Sequence, residues 1–220
     1  MAFNLKLNAL ANWLERRATL AQPWRQLRYV ALDLETTGLD AQQDSLLAMA
    51  WLNIQPPLMD YGSAQYHVMG RKGRDLKRDL KQSPVIHGLL ERDFLRSSEP
   101  QQTLRVLSRV LNDAVLVCHH VSLDWQFLQA AAKRYNVTLK PLAFFDTLQF
   151  ERRRMQQQNE QPKPGELTLS ACRAKYNLPM YGNHHAFSDA LGCGELFLAQ
   201  VYQYCGNEPI KARKIVQTKW

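Results

Sequence analysis

Between Arg28 and Gly38 the chain reads RYVALDLETTG, in which Val30, Leu32 and Leu34 share one parity while Tyr29, Ala31, Asp33 and Glu35 share the other. Successive side chains of a strand point to opposite faces, so this alternation predicts a strand with two carboxylates on one surface. Two anions placed that close repel unless a cation stands between them. An isolated DxE pair more often marks a solvated polar face. Here the strand is otherwise apolar and runs into a Thr-Thr-Gly turn, which supplies hydroxyls and backbone N–H groups beside the carboxylates.

The segments around this strand set the fold class. Leu46 to Ile54 and Ala64 to Met69 are apolar runs bounded by turn signals and are expected to follow the first strand as an antiparallel meander. Ser98 and Pro100 mark a helix start, with Leu104, Leu107 and Leu111 as its buried stripe beside Val106 and Val110. AVLVC reads as a buried strand, Leu123 to Tyr135 as a helix, and PLAFF as a short strand ending at Asp146. The stretch ERRRMQQQNEQPKPGE is expected to be a polar loop, followed by helices over Thr168 to Tyr176 and Ala186 to Tyr204. Strands in a meander and then strands alternating with helices describe an α/β domain, a mixed sheet flanked by helices. Leucines spaced through Asn4 to Leu20 predict an amphipathic helix ahead of it, before Pro23.

Composition bounds the rest. A chain of 220 residues with 45% hydrophobic and 22% charged residues can bury one substantial core and is unlike a disordered chain. The net charge of +8 favours a polyanionic partner without identifying it. No apolar run approaches a membrane span, and the N-terminus carries charges through what would be a signal-peptide core, so a cytoplasmic protein is expected. Cys118, Cys172, Cys193 and Cys205 lack metal-ligand spacing and are read as small buried side chains.

Two further constellations carry titratable groups. In HHAFSDALGCGELF, His184 stands five residues before Asp189, which lies near a helix start, while Gly192 and Gly194 suggest close packing of that helix on the sheet. A carboxylate on a rigid helix suits cation holding, and a loop histidine suits proton transfer. In VCHHVSLDWQFL a strand runs into a helix with Asp124 in its first turn. Each feature alone has a plain explanation, such as an acidic residue complementing a helix dipole.

Taken together, DLETTG, the mid-chain Asp124 and the HxxxxD pair resemble in order and spacing the motifs of the DnaQ-like, DEDDh 3′-to-5′ exonucleases, which are related to the proofreading subunit of bacterial DNA polymerase III. The resemblance covers about residues 28 to 203 and includes IHGL at Ile86, FDTL at Phe145 and LTLSACRAKYNL. It implies a ribonuclease-H-like mixed sheet of about five strands flanked by helices. On this basis residues 1–26 are an N-terminal helical extension, 27–205 the exonuclease domain and 206–220 a basic tail.

The resemblance also implies roles. Asp33, Glu35 and Asp189 would ligate two divalent cations, Mg²⁺ or Mn²⁺, with Asp33 bridging and Asp124 acting largely through water. His184, rather than its neighbour His185, would take the proton from the attacking water. Thr36, Thr37, Gly38 and Leu39 would cradle the terminal nucleotide, and His87 would face its sugar or base. Asp146 is expected to cap a helix. The chain departs from the family at His119 and His120, where relatives commonly carry His-Asn, and in the basic run Arg71 to Lys81. The implied partners are nucleic-acid 3′ ends and a polymerase or other protein, with no membrane. The implied activity is removal of nucleoside 5′-monophosphates, from DNA or, alternatively, from RNA. A non-catalytic nucleic-acid-binding subunit is the other reading, and a dehalogenase-like phosphatase is disfavoured because Glu35 stands where such enzymes usually have Asp.

Overall fold

The computed structural model describes the backbone of residues 2–69, 89, 91–182 and 185–220. After helix α1 (Ala2–Thr19) come the strands β1 (Arg28–Thr36), β2 (Leu46–Gln55) and β3 (Leu58–Val68). Helix α2 (Pro100–Leu111), strand β4 (Ala114–Cys118), helix α3 (Val121–Arg134) and strand β5 (Ala143–Asp146) follow. Helices α4 (Thr147–Gln157), α5 (Leu169–Lys175) and α6 (Ala186–Cys205) complete the order. The five strands form one sheet in the order β3-β2-β1-β4-β5. The β1–β2 and β2–β3 pairs are antiparallel, and β1–β4 and β4–β5 are parallel.

The alternation in β1 sorts its side chains between two cores. Val30 and Leu32 pack with Leu104, Leu107 and Leu111 of α2 and with Val121, Trp125 and Leu128 of α3. Tyr29 and Ala31 face the other way, against Ala190, Cys193, Phe197 and Val201 of α6. Asp33 and Glu35 therefore share the α6 side of the sheet. Gly194 allows α6 to approach closely: a Cβ there would lie 2.7 Å from Met59, 3.0 Å from Ile54 and 3.2 Å from Ala31. Gly192 does not serve the sheet as expected. A Cβ at that position would meet the Arg173 guanidinium at 3.1 Å, so its small size makes room for α5.

Two element boundaries also differ from the expectation. Strand β3 begins at Leu58, well before Ala64, because as an edge strand it exposes Asp60, Tyr61 and Gly62 and needs no apolar run there. Helix α4 runs through ERRRMQQ, where a loop was expected. It presents Glu151 and Met155 to the interior at helical spacing, and its other residues are good helix formers.

Both termini of the chain pack on this body. Trp24 is fully buried, with edge contacts to Tyr29, Phe197 and Tyr202. Ala212, Ile215 and Val216 are buried in the same core, and Gln217 exchanges two 2.8 Å backbone hydrogen bonds with Phe144 of β5. Arg16 of α1 donates to the Thr218 carbonyl at 2.7 Å, while Leu10, Trp13 and Leu14 remain about half exposed. Cys118, Cys172 and Cys193 are buried free thiols and Cys205 is half-buried. Among the described residues no helix is long and apolar enough to cross a membrane.

Candidate active site

Asp33 and Glu35 lie near the C-terminal end of β1, opposite Ala50 and Ala48 of β2, whose small side chains leave space above the sheet. Asp189 comes from the first turn of α6, brought inward by the close contact at Gly194. One carboxylate oxygen from each of Asp33, Glu35 and Asp189 lies within 4.8 Å of the others. Glu35 is only 8% exposed, yet its Oε1 is buried without a hydrogen-bond partner among the described residues. Leaving a buried acceptor unpaired is costly, so the site lacks a partner that the described protein does not supply.

The electrostatics agree. Burial, with the Asp189 charge adding to it, pushes the Glu35 carboxyl up to about 8. Asp33 is raised well above the usual carboxylate range by burial and then by Asp124, Asp189 and Glu35. Asp124, in the first turn of α3 and 7% exposed, is also raised, by burial and then by Asp146. It stands outside the tight group of three but presses on Asp33. A hard divalent cation would satisfy the orphaned oxygen and reverse these shifts, so the donor set fits Mg²⁺ or a similar ion.

Asp146 braces the site from below. Its side chain caps α4 by accepting from Gln149 N at 3.0 Å and holds the start of α3 by accepting from Val121 N at 2.9 Å and His120 N at 3.3 Å. The cap was legible from FDTL, but its second bond, which orients the helix carrying Asp124, was not. His120 begins α3 with φ of 82°. His119 bonds through both ring nitrogens, Nδ1 to the Thr147 hydroxyl at 2.8 Å and Nε2 to the Leu167 carbonyl at 2.9 Å. A carbonyl only accepts, so Nε2 carries the proton, and burial holds this ring below its ordinary pKa. It ties β4 to α4 and to the segment before α5.

The turn after β1 is held by its own side chains. Thr36 Oγ1 donates to the Gly38 carbonyl at 2.6 Å, and Thr37 Oγ1 accepts from Ser45 N at 2.9 Å and donates to Asp44 at 3.2 Å. A Cβ at Gly38 would overlap the Asp44 carboxylate, so this close approach requires glycine. Leu39 is 77% exposed at the tip. Of the two adjacent histidines, His185 caps α6 by accepting from Phe187 N at 3.3 Å, and its ring stacks on Tyr66 with centroids 4.9 Å apart. His184, His87 and the run Arg71 to Lys81 lie outside the described residues. Tyr66 was not singled out from sequence, since only tertiary pairing brings it to the site.

Known proteins resemble this chain in sequence and in fold. A family model described as exonuclease, RNase_T, matches residues 30–197. The PolC-type DNA polymerase III of Thermotoga maritima is 25% identical over 171 residues, covering 77% of this chain and 12% of that protein. Ribonuclease T of Actinobacillus pleuropneumoniae is 29% identical over 135 residues, covering 54% of this chain and 61% of that protein. The chain thus spans less than two thirds of the length of these relatives. Among solved structures, the nuclease domain of 3′hExo, a DEDDh family member bound to rAMP, superposes with a TM-score of 0.61 at 10% identity, covering 83% of this chain and 97% of that domain. The expected ribonuclease-H-like architecture is the one present, and with three quarters of its length matched by the family model, the chain belongs to the RNase_T exonuclease family.

Proposed function

We propose that this protein is a 3′-to-5′ exonuclease that releases nucleoside 5′-monophosphates from single-stranded or frayed 3′ ends, with DNA as its substrate. The observation that carries the reading is the carboxylate group of Asp33, Glu35 and Asp189, with a buried oxygen on Glu35 unpartnered among the described residues, placed beside a self-braced Thr-Thr-Gly turn. Asp33, Glu35 and Asp189 would hold two divalent cations, Mg²⁺ or Mn²⁺, with Asp124 completing the set through water. Bound there, such ions activate a water nucleophile and stabilise charge on the leaving 3′ oxygen. His184 takes the proton from the attacking water as general base. Thr36 and Thr37, whose hydroxyls brace the turn, and Gly38 shape the surface that cradles the terminal nucleotide, and exposed Leu39 offers an apolar surface to its base. His87 would face the terminal sugar or base. The four free cysteines accord with a reducing, cytoplasmic setting.

RNA is the second substrate reading, favoured by similarity to ribonuclease T over 61% of that protein. The PolC-type relative keeps a proofreading role beside a polymerase in view. A panel of end-labelled DNA and RNA, single-stranded, paired and mismatched, digested with Mn²⁺, separates these readings. Mononucleotide release from free 3′ ends, blocked by a 3′ phosphate, is expected. Rapid cutting of a circular single strand would overturn the exonuclease reading.

A further inference from the structure

Asp124 stands outside the close group formed by Asp33, Glu35 and Asp189, so its distance from them depends on where α3 begins. That helix has no capping side chain of its own. Its first residue outside the helix, His120, makes no side-chain cap and has a left-handed backbone, a conformation uncommon away from glycine. The first N–H groups of a helix lack an intrahelical acceptor and need one from elsewhere. A carboxylate from another strand provides it. Asp146, the last residue of β5 and 2% exposed, accepts from Val121 N through Oδ2 at 2.9 Å and from His120 N through Oδ1 at 3.3 Å.

The same Oδ1 caps α4 by accepting from Gln149 N at 3.0 Å, so one carboxylate fastens the starts of two helices. Thr147, next in the chain and fully buried, reaches a third. Because His119 Nε2 gives its proton to the Leu167 carbonyl, Nδ1 accepts from the Thr147 hydroxyl at 2.8 Å, which leaves that oxygen to accept from the Cys193 thiol at 3.9 Å. Cys193 follows Asp189 by one turn of α6 and shares its side of the helix. Gln200, also fully buried on α6, donates its amide to the Thr147 carbonyl at 2.9 Å. The start of α4 thus joins the helix that carries Asp124 to the helix that carries Asp189.

We propose that Asp146 is a positioning residue for hydrolysis: bound at once to α3, through His120 and Val121, and to α4, it sets the placement of Asp124 against Asp33 and Asp189. The inference rests on the exonuclease reading. Asp124 lies in the first turn of α3, so a shift of the Val121 N–H group is carried directly to its carboxylate. Both oxygens of Asp146 are engaged, because the N–H groups of His120, Val121 and Gln149 all converge on them. A displacement of about 1 Å near the reacting atoms can cost as much as 10²-fold in rate. A hydrogen bond to a charged group is equivalent to about ten- to hundredfold in an equilibrium, which sets the size of effect expected at the helix start.

Asp146→Ser separates the two tasks, since serine caps its own helix well but its shorter side chain leaves Val121 N without an acceptor. In the metal-free protein, hydrogen exchange at the His120 and Val121 amides should rise by about ten- to hundredfold, while exchange at Gln149 stays within about threefold. On a single-stranded oligonucleotide at saturating Mn²⁺, kcat should fall by about ten- to hundredfold with KM within about twofold of wild type. Placed in the Asp124→Asn protein, the same substitution should cost nothing further, because the clamp acts through that carboxylate. Asp146→Asn keeps the side chain's size and one acceptor oxygen, so it should show the same changes at smaller size and serves if the serine variant does not fold. Unchanged exchange at Val121, an unchanged kcat, or an equal loss with and without Asp124→Asn would each overturn the inference. Failure of the wild-type protein to hydrolyse the oligonucleotide, or wild-type activity in Asp124→Asn, would instead strike the underlying reading.

Discussion

Glu151 and the carboxylates around Asp33 are the same chemistry handled in opposite ways. Glu151 is fully buried, but one oxygen meets Arg154 at 2.7 Å, the other accepts from the Tyr176 hydroxyl at 2.8 Å and from Gln200 at 3.3 Å, and Lys175 is 3.9 Å away. Burial alone would raise its pKa, yet the bonds from Arg154 and Tyr176 outweigh burial and leave it lowered. At the head of β1, Glu35 Oε1 has no hydrogen-bond partner among the described residues, and Asp33, Glu35 and Asp124 are all raised. The first arrangement joins α4, α5 and α6 and is complete. The second leaves a buried oxygen of Glu35 unpartnered among the described residues, a place that a bound cation would fill.

The widest gap between the two regions should appear on removing Asp33. Asp33→Ala is expected to abolish hydrolysis while leaving thermal stability of the metal-free protein unchanged or raised, since it relieves mutual repulsion. Steady-state digestion and a thermal melt check both halves, and near-normal Mg²⁺-dependent activity would show that the site is misplaced. Next in size is the proposed base. His184→Ala should lower kcat by about 10²- to 10⁴-fold with nearly unchanged Mn²⁺ affinity, whereas His185→Ala, which loses a cap and a ring stack, should cost about tenfold or less. A larger loss for His185→Ala would exchange their roles.

Glu151→Ala inverts the pattern. It removes the acceptor of the buried Gln200 amide and of the Tyr176 hydroxyl and should cost about 1–3 kcal/mol of stability, read from denaturant unfolding, with kcat per folded molecule within about twofold of wild type. Loss of activity without loss of stability would erase the distinction. A further contrast concerns pH. The folded-state pKa of Glu35 lies above its ordinary value, at about 8 against 4.5, so the native state keeps its proton longer than the unfolded chain does. Stability of the metal-free protein should therefore fall as pH rises from about 4.5 to about 8 and level off above, measured in a chelator. Glu35→Gln should lessen that slope, with Asp33 and Asp124 supplying what remains.

The central strand and its helices were readable because apolar periodicity reports one-sided burial. Leu104, Leu107 and Leu111, picked from spacing, are fully buried, and the parity of β1 put Asp33 and Glu35 on the α6 face. The same reasoning lost α4, whose interior face mixes Thr147 and Glu151 with Met155, and the outer half of β3, whose edge position hides no apolar side chain. At the site, Asp33, Glu35 and Asp189 converge as their separate motifs suggested, since strand end and helix start are local features. The bracing by Tyr66, Asp146 and Arg173 depends on pairings across the sheet and between helices, at separations no local pattern encodes.

The claim that the carboxylate group is a cation site is tested most directly by calorimetric titration of Mn²⁺ into the wild-type, Asp33→Ala and Glu151→Ala proteins. The wild type and Glu151→Ala should bind with similar affinity. Saturation at about 100 times the dissociation constant should add about 2.7 kcal/mol to the wild type's unfolding free energy. Asp33→Ala should show neither the heat nor the stabilisation. Equal Mn²⁺ binding by the wild-type and Asp33→Ala proteins would contradict the account.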